Sequence, residues 1–588
     1  MFDSLYEASK SGYKFRNLMD YISDRNNILL AYRTIKRNKG SMTPGTDGKT
    51  IKDIEKLSDE NIIKLIQAKL ENYKPKSVRR VEIPKIDGKT RPLGIPCIID
   101  RIVQQCIKQV MEPICEAKFN THSYGFRPNR SVEHALADAM RYMNFSNCHY
   151  VVDIDIKGFF DNVDHEKLKK QIWSMGIEDK NLICVIGKIL KSEVEGIGIQ
   201  TKGTPQGGII SPLLSNICLN ELDWWLHSQW EGLKTRHSFS LDVRSGSSNK
   251  YRALRQTTNI KEFWFVRYAD DFKIFCKDYK TAQKMYIAVK QWLKERLKLD
   301  ISDAKSKVTN LRKNYTNFLG FKLKVKPKNK KFVCESHMSN KSMANTELKL
   351  KNQIKKIQRY TTIKEVMLLN SMILGSHQYY KSATKVSRDF NRIHFNLLRT
   401  IMSRLRKVLS SPREHSKAYK KSYGQYNGKP RAVLGISIFP IYGVVYEVIK
   451  SLPRETCNYT EKGRELIHKK VNSKVGKLLY NYLMYGSTYK SVELFDNSVS
   501  LLSGQKGQCG VTKIELKLGN MELHHKIPRS IGGTDEYKNL IWLCKSVHKL
   551  IHATTEETIN VYKKELNLDN ESLMKLNKLR QKVGNSSI

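Results

Sequence analysis

The sequence lacks any apolar run that could cross a lipid bilayer, since no segment approaches the ~18 uninterrupted apolar residues that a spanning helix needs. Its first residues, Met1 to Glu7, also lack the basic start and apolar core of a secretory signal. These absences argue against a helical membrane protein. They predict a soluble, unprocessed chain.

Paired cysteine spacings are also missing. The chain has 11 cysteines, but they are scattered, and several stand among apolar residues, such as Cys184 between Ile183 and Val185. Scattered thiols of this kind are typical of a reducing compartment and not of a disulfide framework. We therefore expect free thiols and a cytoplasmic environment.

Acidic residues are scarce relative to basic ones. The chain has 104 lysines and arginines against 57 aspartates and glutamates, which gives a formal net charge of +47. Such a charge attracts phosphate backbones at long range and makes binding strongly salt dependent, although anionic membrane surfaces would attract it too. With 588 residues, the chain is expected to form several domains.

Two adjacent acids, Asp270 and Asp271, stand between two β-prone segments. Phe263–Tyr268 precedes them and Phe272–Cys276 follows them, a pattern typical of a hairpin with acids at its turn. A chance tetrapeptide at a polar turn is the alternative, because short motifs discriminate loosely.

A second acidic strand is predicted about a hundred residues upstream, where strand alternation points Asp153 and Asp155 to one face. Carboxylates brought together from two strands suit a two-metal site, because hard cations such as Mg²⁺ need oxygen ligands from more than one segment. Alternation alone does not separate Asp153 from Asp155.

Seven motifs occur in an order that closely resembles group II intron-encoded reverse transcriptases, over about residues 25–325. They are Arg91–Pro96, Tyr124–Pro128, Asp155–Phe160, Gly203–Gly208, Tyr268–Asp271, Lys305–Lys307 and Asn317–Gly320. The resemblance implies a right-hand polymerase whose fingers and palm contain an antiparallel sheet. It also implies that Asp155, Asp270 and Asp271 are the catalytic, Mg²⁺-binding carboxylates. The aromatic residue five positions after Asp155 favours this acid over Asp153.

The same resemblance assigns a nucleotide site to Lys85, Arg91, Phe160, Gln206, Gly207 and Lys305. Phe160 would lie under the sugar and clash with a 2′ hydroxyl, so the implied substrate is a deoxynucleoside triphosphate. Without the motif, Phe160 would be read as an ordinary core residue. Arginine suits phosphate because its planar fork donates two parallel hydrogen bonds, while glycines allow close backbone approach. The alternative for Lys85 and Arg91 is a solvated charged hairpin, and Lys305 is only suspected of protonating the leaving pyrophosphate.

Residues from about 345 to 450 are predicted to be helical and rich in cations, and the region 326–450 resembles the thumb and maturase region called domain X. The implied partner is the structured group II intron RNA that encodes the protein, although no individual contact is assigned. A basic strand, Lys322–Lys331, precedes this region and could bind RNA or serve as a solvated edge. Residues 451–500 are a linker or a DNA-binding region.

Residues 501–588 resemble an HNH endonuclease of the ββα-metal kind. The resemblance rests on Glu522–Asp535, Asn539–Cys544 and His548–His552. It implies His524 and His548 as ligands of a divalent cation, His525 as the general base and Asn539 as the residue that braces the loop and orients the base. His548 and His552 are one helical turn apart and can face the same ion, so His552 is a weaker ligand candidate.

A structural zinc site is left open by the cysteines of this region. Relatives carry two Cys-x-x-Cys pairs, but here Cys509 is followed at the matching position by Thr512, and Cys544 by Val547. Half of the ligands are missing, so a closed four-cysteine site is not predicted.

Taken together, the sequence predicts a multidomain α+β protein: fingers and palm in residues 1–325, thumb and domain X in 326–450, and the nuclease at the carboxyl end. The expected activity is reverse transcription, assisted splicing of the intron RNA, and nicking of a DNA target that then primes synthesis. The expected location is the bacterial cytoplasm, at the nucleoid during action on DNA; whether the protein is a monomer or a dimer is open. The alternatives are a splicing maturase without polymerase activity, which the intact acids disfavour, and a defence or diversity-generating reverse transcriptase, which the nuclease and domain X disfavour.

Overall fold

A computed structural model of the protein describes residues 1–84, 90–239, 244–257, 262–453, 455–468, 473–485 and 492–588. The backbone divides into two units. The first comprises Met1–Ile22, Thr43–Thr50 and Asn72–Arg454, and the second comprises Ser23–Met42, Ile51–Glu71 and Glu455–Ile588. The amino-terminal helices are therefore divided between the two units, some belonging to the first and some to the second.

The amino-terminal part is mainly helical and contains one β-hairpin. Its elements are α1 (Phe2–Lys10), α2 (Leu18–Ile22), α3 (Arg25–Arg37), α4 (Ile51–Glu55), α5 (Asp59–Glu71), β1 (Arg79–Pro84), β2 (Thr90–Ile95), α6 (Ile98–Glu116) and α7 (Val132–Asn144). Strands β1 and β2 are antiparallel, with Ile83 opposite Arg91. The two strands therefore form a hairpin, and the residues that connect them, 85–89, lie outside the described residues.

The central part of the first unit contains a four-stranded antiparallel sheet. Its elements are β3 (Tyr150–Ile154), α8 (Phe159–Asn162), α9 (His165–Ser174), α10 (Lys180–Leu190), β4 (Glu193–Val194), β5 (Gly198–Ile199), α11 (Ser211–Gln229), α12 (Arg244–Thr257), β6 (Phe263–Tyr268), β7 (Asp271–Cys276), α13 (Tyr279–Leu297) and β8 (Lys307–Asn310). The strand order is β6-β7-β3-β8, so β3 lies between β7 and β8 although more than a hundred residues separate it from either. Buried apolar residues such as Val152, Phe272 and Ile274 pack the sheet against α7 and α13.

The remainder of the first unit is a basic hairpin followed by three long helices. Its elements are β9 (Thr316–Phe318), β10 (Phe321–Lys328), β11 (Lys331–Met338), α14 (Asn340–Arg359), α15 (Ile363–Tyr380), α16 (Val386–Arg404), β12 (Leu409–Ser410), α17 (Lys417–Tyr423), β13 (Ala432–Val433) and β14 (Ile436–Ser437). The helical prediction for this region holds as far as Arg404. Between Arg404 and residue 450, the chain consists mainly of short strands and irregular segments. The helix in this stretch is α17.

The second unit contains an antiparallel strand pair followed by a helix. Its carboxyl-terminal elements are α18 (Glu461–His468), α19 (Ser473–Tyr485), α20 (Val492–Gly504), β15 (Met521–His525), β16 (Leu540–Cys544), α21 (Lys545–His552), α22 (Glu556–Leu566) and α23 (Asn570–Lys582). The order β15, β16, α21 is the predicted ββα arrangement, and a core that includes Trp542, Val547 and Leu576 supports it.

Helices α3, α4 and α5 belong to the same unit, although no sequence pattern predicts this. In this unit, Arg33 forms an ion pair with Asp496 of α20 and lies over the Phe495 ring.

Two expectations about chain chemistry can be compared with this fold. No helix among the described residues is both long and apolar enough to traverse a bilayer. All 11 cysteines are free thiols, as the scattered spacing predicts, and most of them are buried.

Candidate active sites

The first candidate site is a cavity of about 270 Å³ at one end of the central sheet. The hairpin prediction is confirmed, because β6 and β7 pair up to Tyr268 opposite Asp271, with Ala269 and Asp270 between them. Since β3 pairs with β7, the acids that follow β3 come to the same end of the sheet. The cavity is lined by Asp153, Ile154, Asp155, Ile156, Asp270, Asp271, Lys273 and Lys305.

The structure distinguishes the two acids that alternation left equivalent. Strand β3 ends at Ile154, so Asp155 lies just beyond the strand. The prediction that Asp153 and Asp155 share one strand face is therefore wrong. Asp153 is buried and accepts hydrogen bonds from Thr316 (2.8 Å) and Thr309 (3.2 Å), in addition to its ion pair with Lys273. The Asp155 side chain is 43% exposed. The carboxylate of Asp155 is therefore partly open to solvent, whereas the oxygen atoms of Asp153 are held by buried side chains.

Lys273 is a buried cation that sequence reasoning missed. Its ammonium lies 2.9 Å from Asp153 and 3.4 Å from Asp271. Burial opposes its charge, but these two carboxylates outweigh burial and raise the pKa of Lys273. Burial also raises the pKa of Asp271, against the opposing effect of Lys273. The available signal was the two-residue spacing of Asp271 and Lys273, which places both side chains on one face of β7.

Lys305 lies at the carboxylates, with its ammonium 3.3 Å from Asp155. The cavity thus brings together Asp155, Asp270 and Asp271 with two lysines. Carboxylate oxygens from two chain segments are the ligands that Mg²⁺ prefers, so these residues fit a hard divalent cation.

Another cavity, of about 290 Å³, is lined by Phe160 and Gln206, two of the six predicted nucleotide-binding residues. Phe160 lines it and is half-buried, whereas the adjacent Phe159 is buried in the core. Arg91 donates a hydrogen bond to Gln206 (3.2 Å), and Gln206 donates one to Asp161 (2.9 Å). These contacts join the β1–β2 hairpin to the wall that carries Phe160.

The structure accounts for Gly207, another residue of the predicted nucleotide site. Gly207 has a φ of +113°, and a Cβ there would lie 2.3 Å from the carbonyl oxygen of Gly94. This close approach accounts for the glycine. Lys85 lies outside the described residues.

The second candidate site is a cluster of three histidines in the second unit. His524 lies on β15, and His548 and His552 lie on α21, with ligand atoms within 4.8 Å of one another. His524 is buried, and its Nε2 atom has no hydrogen-bond partner among the described residues. Burial, together with His548 and His552, lowers the pKa of His524 to about 3, so its imidazole is neutral and able to bind a metal.

The neighbours of the cluster fit a divalent cation. His548 Nδ1 lies 2.9 Å from the Glu522 carboxylate, which leaves Nε2 for a ligand, and burial lowers the pKa of His548. Three imidazoles suit ions such as Zn²⁺ better than Mg²⁺. The geometry also includes His552, the weaker candidate of the sequence.

His525 directly follows His524 in the sequence. It has a hydrogen-bond partner that sequence reasoning missed. Its Nε2 atom lies 2.9 Å from Asp535, and Arg529 donates hydrogen bonds to the same carboxylate at 3.1 and 2.6 Å. Asp535 is the last residue of the Glu522–Asp535 motif, and the resemblance assigns it no role. The contact with Asp535 fixes the orientation of the His525 imidazole through Nε2. The other ring nitrogen, Nδ1, lies outside this contact.

Asn539 braces the loop between the two strands. Its Nδ2 donates to the carbonyls of Ile527 (3.1 Å) and Thr534 (2.9 Å), and its Oδ1 accepts from the amide of Ile527 (2.9 Å). The three bonds hold the loop that carries Asp535. The loop thus connects Asn539 to Asp535, the partner of His525.

Cys509 and Cys544 are buried in this unit. The contact with Cys544 lowers the pKa of Cys509, against the effect of burial. Neither cysteine belongs to the group of His524, His548 and His552, whose ligand atoms lie within 4.8 Å of one another.

Comparison with known proteins gives two family matches. The reverse transcriptase (RNA-dependent DNA polymerase) model matches residues 83–323, and the HNH endonuclease model matches residues 508–554. The chain is 34% identical over 341 residues to protein YkfC of Escherichia coli K12, which covers 54% of this chain and 85% of YkfC.

Two longer relatives extend these matches. The chain is 26% identical over 642 residues to an uncharacterized 91 kDa protein in the cob intron of Schizosaccharomyces pombe, covering 96% of this chain and 73% of that protein. It is 32% identical over 357 residues to the group II intron-encoded protein LtrA of Lactococcus lactis subsp. cremoris, covering 53% of this chain and 57% of LtrA.

Proposed function

The chain belongs to the family of group II intron-encoded reverse transcriptases with an HNH endonuclease domain, and we propose that it binds its intron RNA, copies it into DNA and cuts the DNA target. The enzyme is an RNA-directed DNA polymerase and a nuclease. The observation that carries the polymerase assignment is the cavity that brings Asp155, Asp270 and Asp271 together.

In the polymerase, Asp155, Asp270 and Asp271 would hold Mg²⁺, which activates the primer 3′ oxygen and neutralises the leaving pyrophosphate. The half-buried Phe160 would lie under the sugar of a deoxynucleoside triphosphate. Arg91 and Gln206, already joined by a hydrogen bond, would hold the triphosphate from the hairpin side. Lys305, whose ammonium lies 3.3 Å from Asp155, would donate a proton to the leaving pyrophosphate.

The domain layout proposed for these activities is fingers and palm in residues 1–325, with β1–β2 in the fingers and the four-stranded sheet in the palm. Thumb and domain X would occupy residues 326–450, a linker or DNA-binding region residues 451–500, and the nuclease residues 501–588. The long helices α14, α15 and α16 support the thumb assignment.

The intron RNA is proposed to bind the cationic helices of residues 326–450. Large aromatic side chains are exposed there, including Tyr360 (58% exposed) and Phe395 (75% exposed). Exposed aromatics among lysines and arginines can stack on unpaired bases while the cations contact phosphates. The net charge of +47 favours the same partner.

In the nuclease, His524, His548 and His552 would hold a divalent cation that stabilises the scissile phosphate and the leaving 3′ oxygen. His525 would take the proton of the attacking water. Asp535 holds the imidazole from its other side, which keeps the base oriented for that transfer. The cut would free a 3′ hydroxyl that primes copying of the intron RNA.

The polymerase proposal is tested by primer extension on an annealed RNA template with deoxynucleoside triphosphates and Mg²⁺. The double substitution Asp270→Ala with Asp271→Ala is expected to abolish extension while RNA binding is retained, because these acids hold ions and not the scaffold. Asp303→Ala is the matched control, since it removes an exposed acid that is also paired with a lysine, Lys290. No extension by a folded, RNA-binding wild type would instead favour a maturase without polymerase activity.

A further inference from the structure

The guanidinium of Arg267 lies next to the catalytic turn but does not line the cavity. Arg267 is the penultimate residue of β6, and its side chain is 1% exposed. Each of its five N–H groups has an acceptor. They donate to both carboxylate oxygens of Asp223 (2.7 and 2.6 Å), to Asn216 (3.0 Å), to Ser123 (2.7 Å) and to the carbonyl oxygen of Ala269 (2.9 Å).

The last of these acceptors belongs to a strained residue. Ala269 has a φ of +57°, a left-handed conformation that is sterically unfavourable for a residue with a Cβ. Asp270 and Asp271 follow Ala269 directly, so the direction in which their carboxylates point depends on this conformation. Strain of this kind persists only where the surroundings hold it.

The Arg267 fork also joins the segments around the turn. Ser123 precedes the glycine that lies against Ala269, and Asn216 donates a hydrogen bond to the carbonyl oxygen of that glycine, Gly125 (2.9 Å). Asp223, on α11, is as buried as Arg267. A buried ion pair contributes little net stability compared with apolar packing. Its presence here is explained better by the geometry that it imposes.

We infer that Arg267 is a positioning residue for DNA synthesis, because its hydrogen bond to Ala269 holds the strained turn so that Asp270 and Asp271 face Asp155 across the cavity. A lysine at this position keeps the charge but has a single nitrogen in place of the planar fork. It cannot serve Asp223 and Ala269 with the same geometry. The inference rests on the proposed polymerase function.

The test is Arg267→Lys in the full-length chain, measured by primer extension as a function of Mg²⁺ concentration. Misplacement of the turn is expected to raise the half-saturating Mg²⁺ concentration roughly tenfold and to lower kcat roughly 10²-fold. Affinity for the template–primer, measured in parallel without nucleotide, is expected to stay unchanged. Wild-type extension in the same assay establishes the polymerase itself, so failure of the proposed function would be recognised separately.

Arg101→Lys is the matched control. Arg101 is also buried in the first unit, and its fork donates to the carbonyl oxygens of Pro96 (2.7 Å) and Thr43 (2.6 Å), away from the turn. It is expected to lower the melting temperature without changing the Mg²⁺ dependence. A purely structural role for Arg267 predicts the same behaviour for both variants, and that result would overturn the inference.

A second substitution tests the strain directly. Glycine adopts positive φ without steric cost, so Ala269→Gly in the Arg267→Lys chain is expected to restore part of the lost kcat. No restoration, or wild-type Mg²⁺ dependence of Arg267→Lys alone, contradicts the inference. If Arg267→Lys does not fold, Asn216→Ala removes one acceptor and keeps the Asp223 pair. It is then tested alone and with Ala269→Gly, under the same criteria.

Discussion

Gly125 offers a sharp test of how precisely the catalytic turn must be placed. A Cβ added there would lie 2.3 Å from the amide nitrogen of Ala269 and 2.9 Å from the carbonyl carbon of Tyr268. Both are backbone atoms, so no side-chain rotation relieves the contact. Ordinary van der Waals contact begins at 3.4 Å. Gly125→Ala therefore has to move the turn, or the segment against it, by about 1 Å.

The magnitude follows from this displacement. Overpacking of a well-packed region costs about 1–3 kcal/mol of the free energy of unfolding. A shift of about 1 Å at a catalytic group costs roughly 10²-fold in rate, or about 2.7 kcal/mol in the activation free energy. We expect Gly125→Ala to remain folded, to bind template–primer, and to extend it roughly 10²-fold more slowly.

The assay is single-turnover primer extension at saturating nucleotide, beside thermal unfolding. Gly187→Ala is the control, because Gly187 lies in helix α10 and a Cβ there would meet only the Lys169 side chain, at 4.0 Å. It is expected to keep wild-type activity and to gain up to about 1 kcal/mol in stability from the helical propensity of alanine. Wild-type extension by Gly125→Ala would refute the reasoning, since it would mean that the turn tolerates displacement.

Three further predictions concern other parts of the chain. Phe160→Ala is expected to permit incorporation of ribonucleotides, because the ring that would meet a 2′ hydroxyl is gone; extension with ribonucleoside triphosphates checks this, and unchanged discrimination would contradict it. His525→Ala is expected to abolish DNA cutting and leave primer extension intact, while Asp535→Asn slows cutting roughly 10–100-fold because the imidazole loses its carboxylate partner; plasmid nicking measures both, and equal rates for Asp535→Asn and wild type would rule out that role. Burial lowers the pKa of His377 from 6.5 to about 4, so the unfolded chain binds its proton more readily. The free energy of unfolding should therefore fall by up to roughly 3 kcal/mol between pH 6.5 and pH 4; denaturant titrations should show a flatter profile for His377→Gln, and an identical profile would contradict the assignment.

Much of the local structure could be predicted from the sequence. The hairpin with acids at its turn and the long helices up to Arg404 follow from periodicity and turn chemistry, whereas the strand pair and helix of the nuclease follow from the family resemblance. These signals act over a few residues, so the sequence contains them in readable form. The order of the motifs along the chain also identifies the family.

The tertiary structure decided how the charged side chains are used. Asp153 and Asp155 occupy equivalent positions by alternation, and the pairing of β3 with β7 places Lys273 against Asp153. The partner of His525 also became apparent only in the fold, because Asp535 lies in a loop that three hydrogen bonds from Asn539 hold in place.

The sequence by itself therefore determined the enzyme family, the order of its elements and the chemistry of the acids and histidines. Only the tertiary structure decided which acid is open to a ligand, that Arg267 holds the strained Ala269, and that α3 belongs with the nuclease unit. The physical reason is that burial and ion pairing depend on which segments the fold brings together, as with β3 and β7, whereas alternation and turn propensity depend on neighbours along the chain.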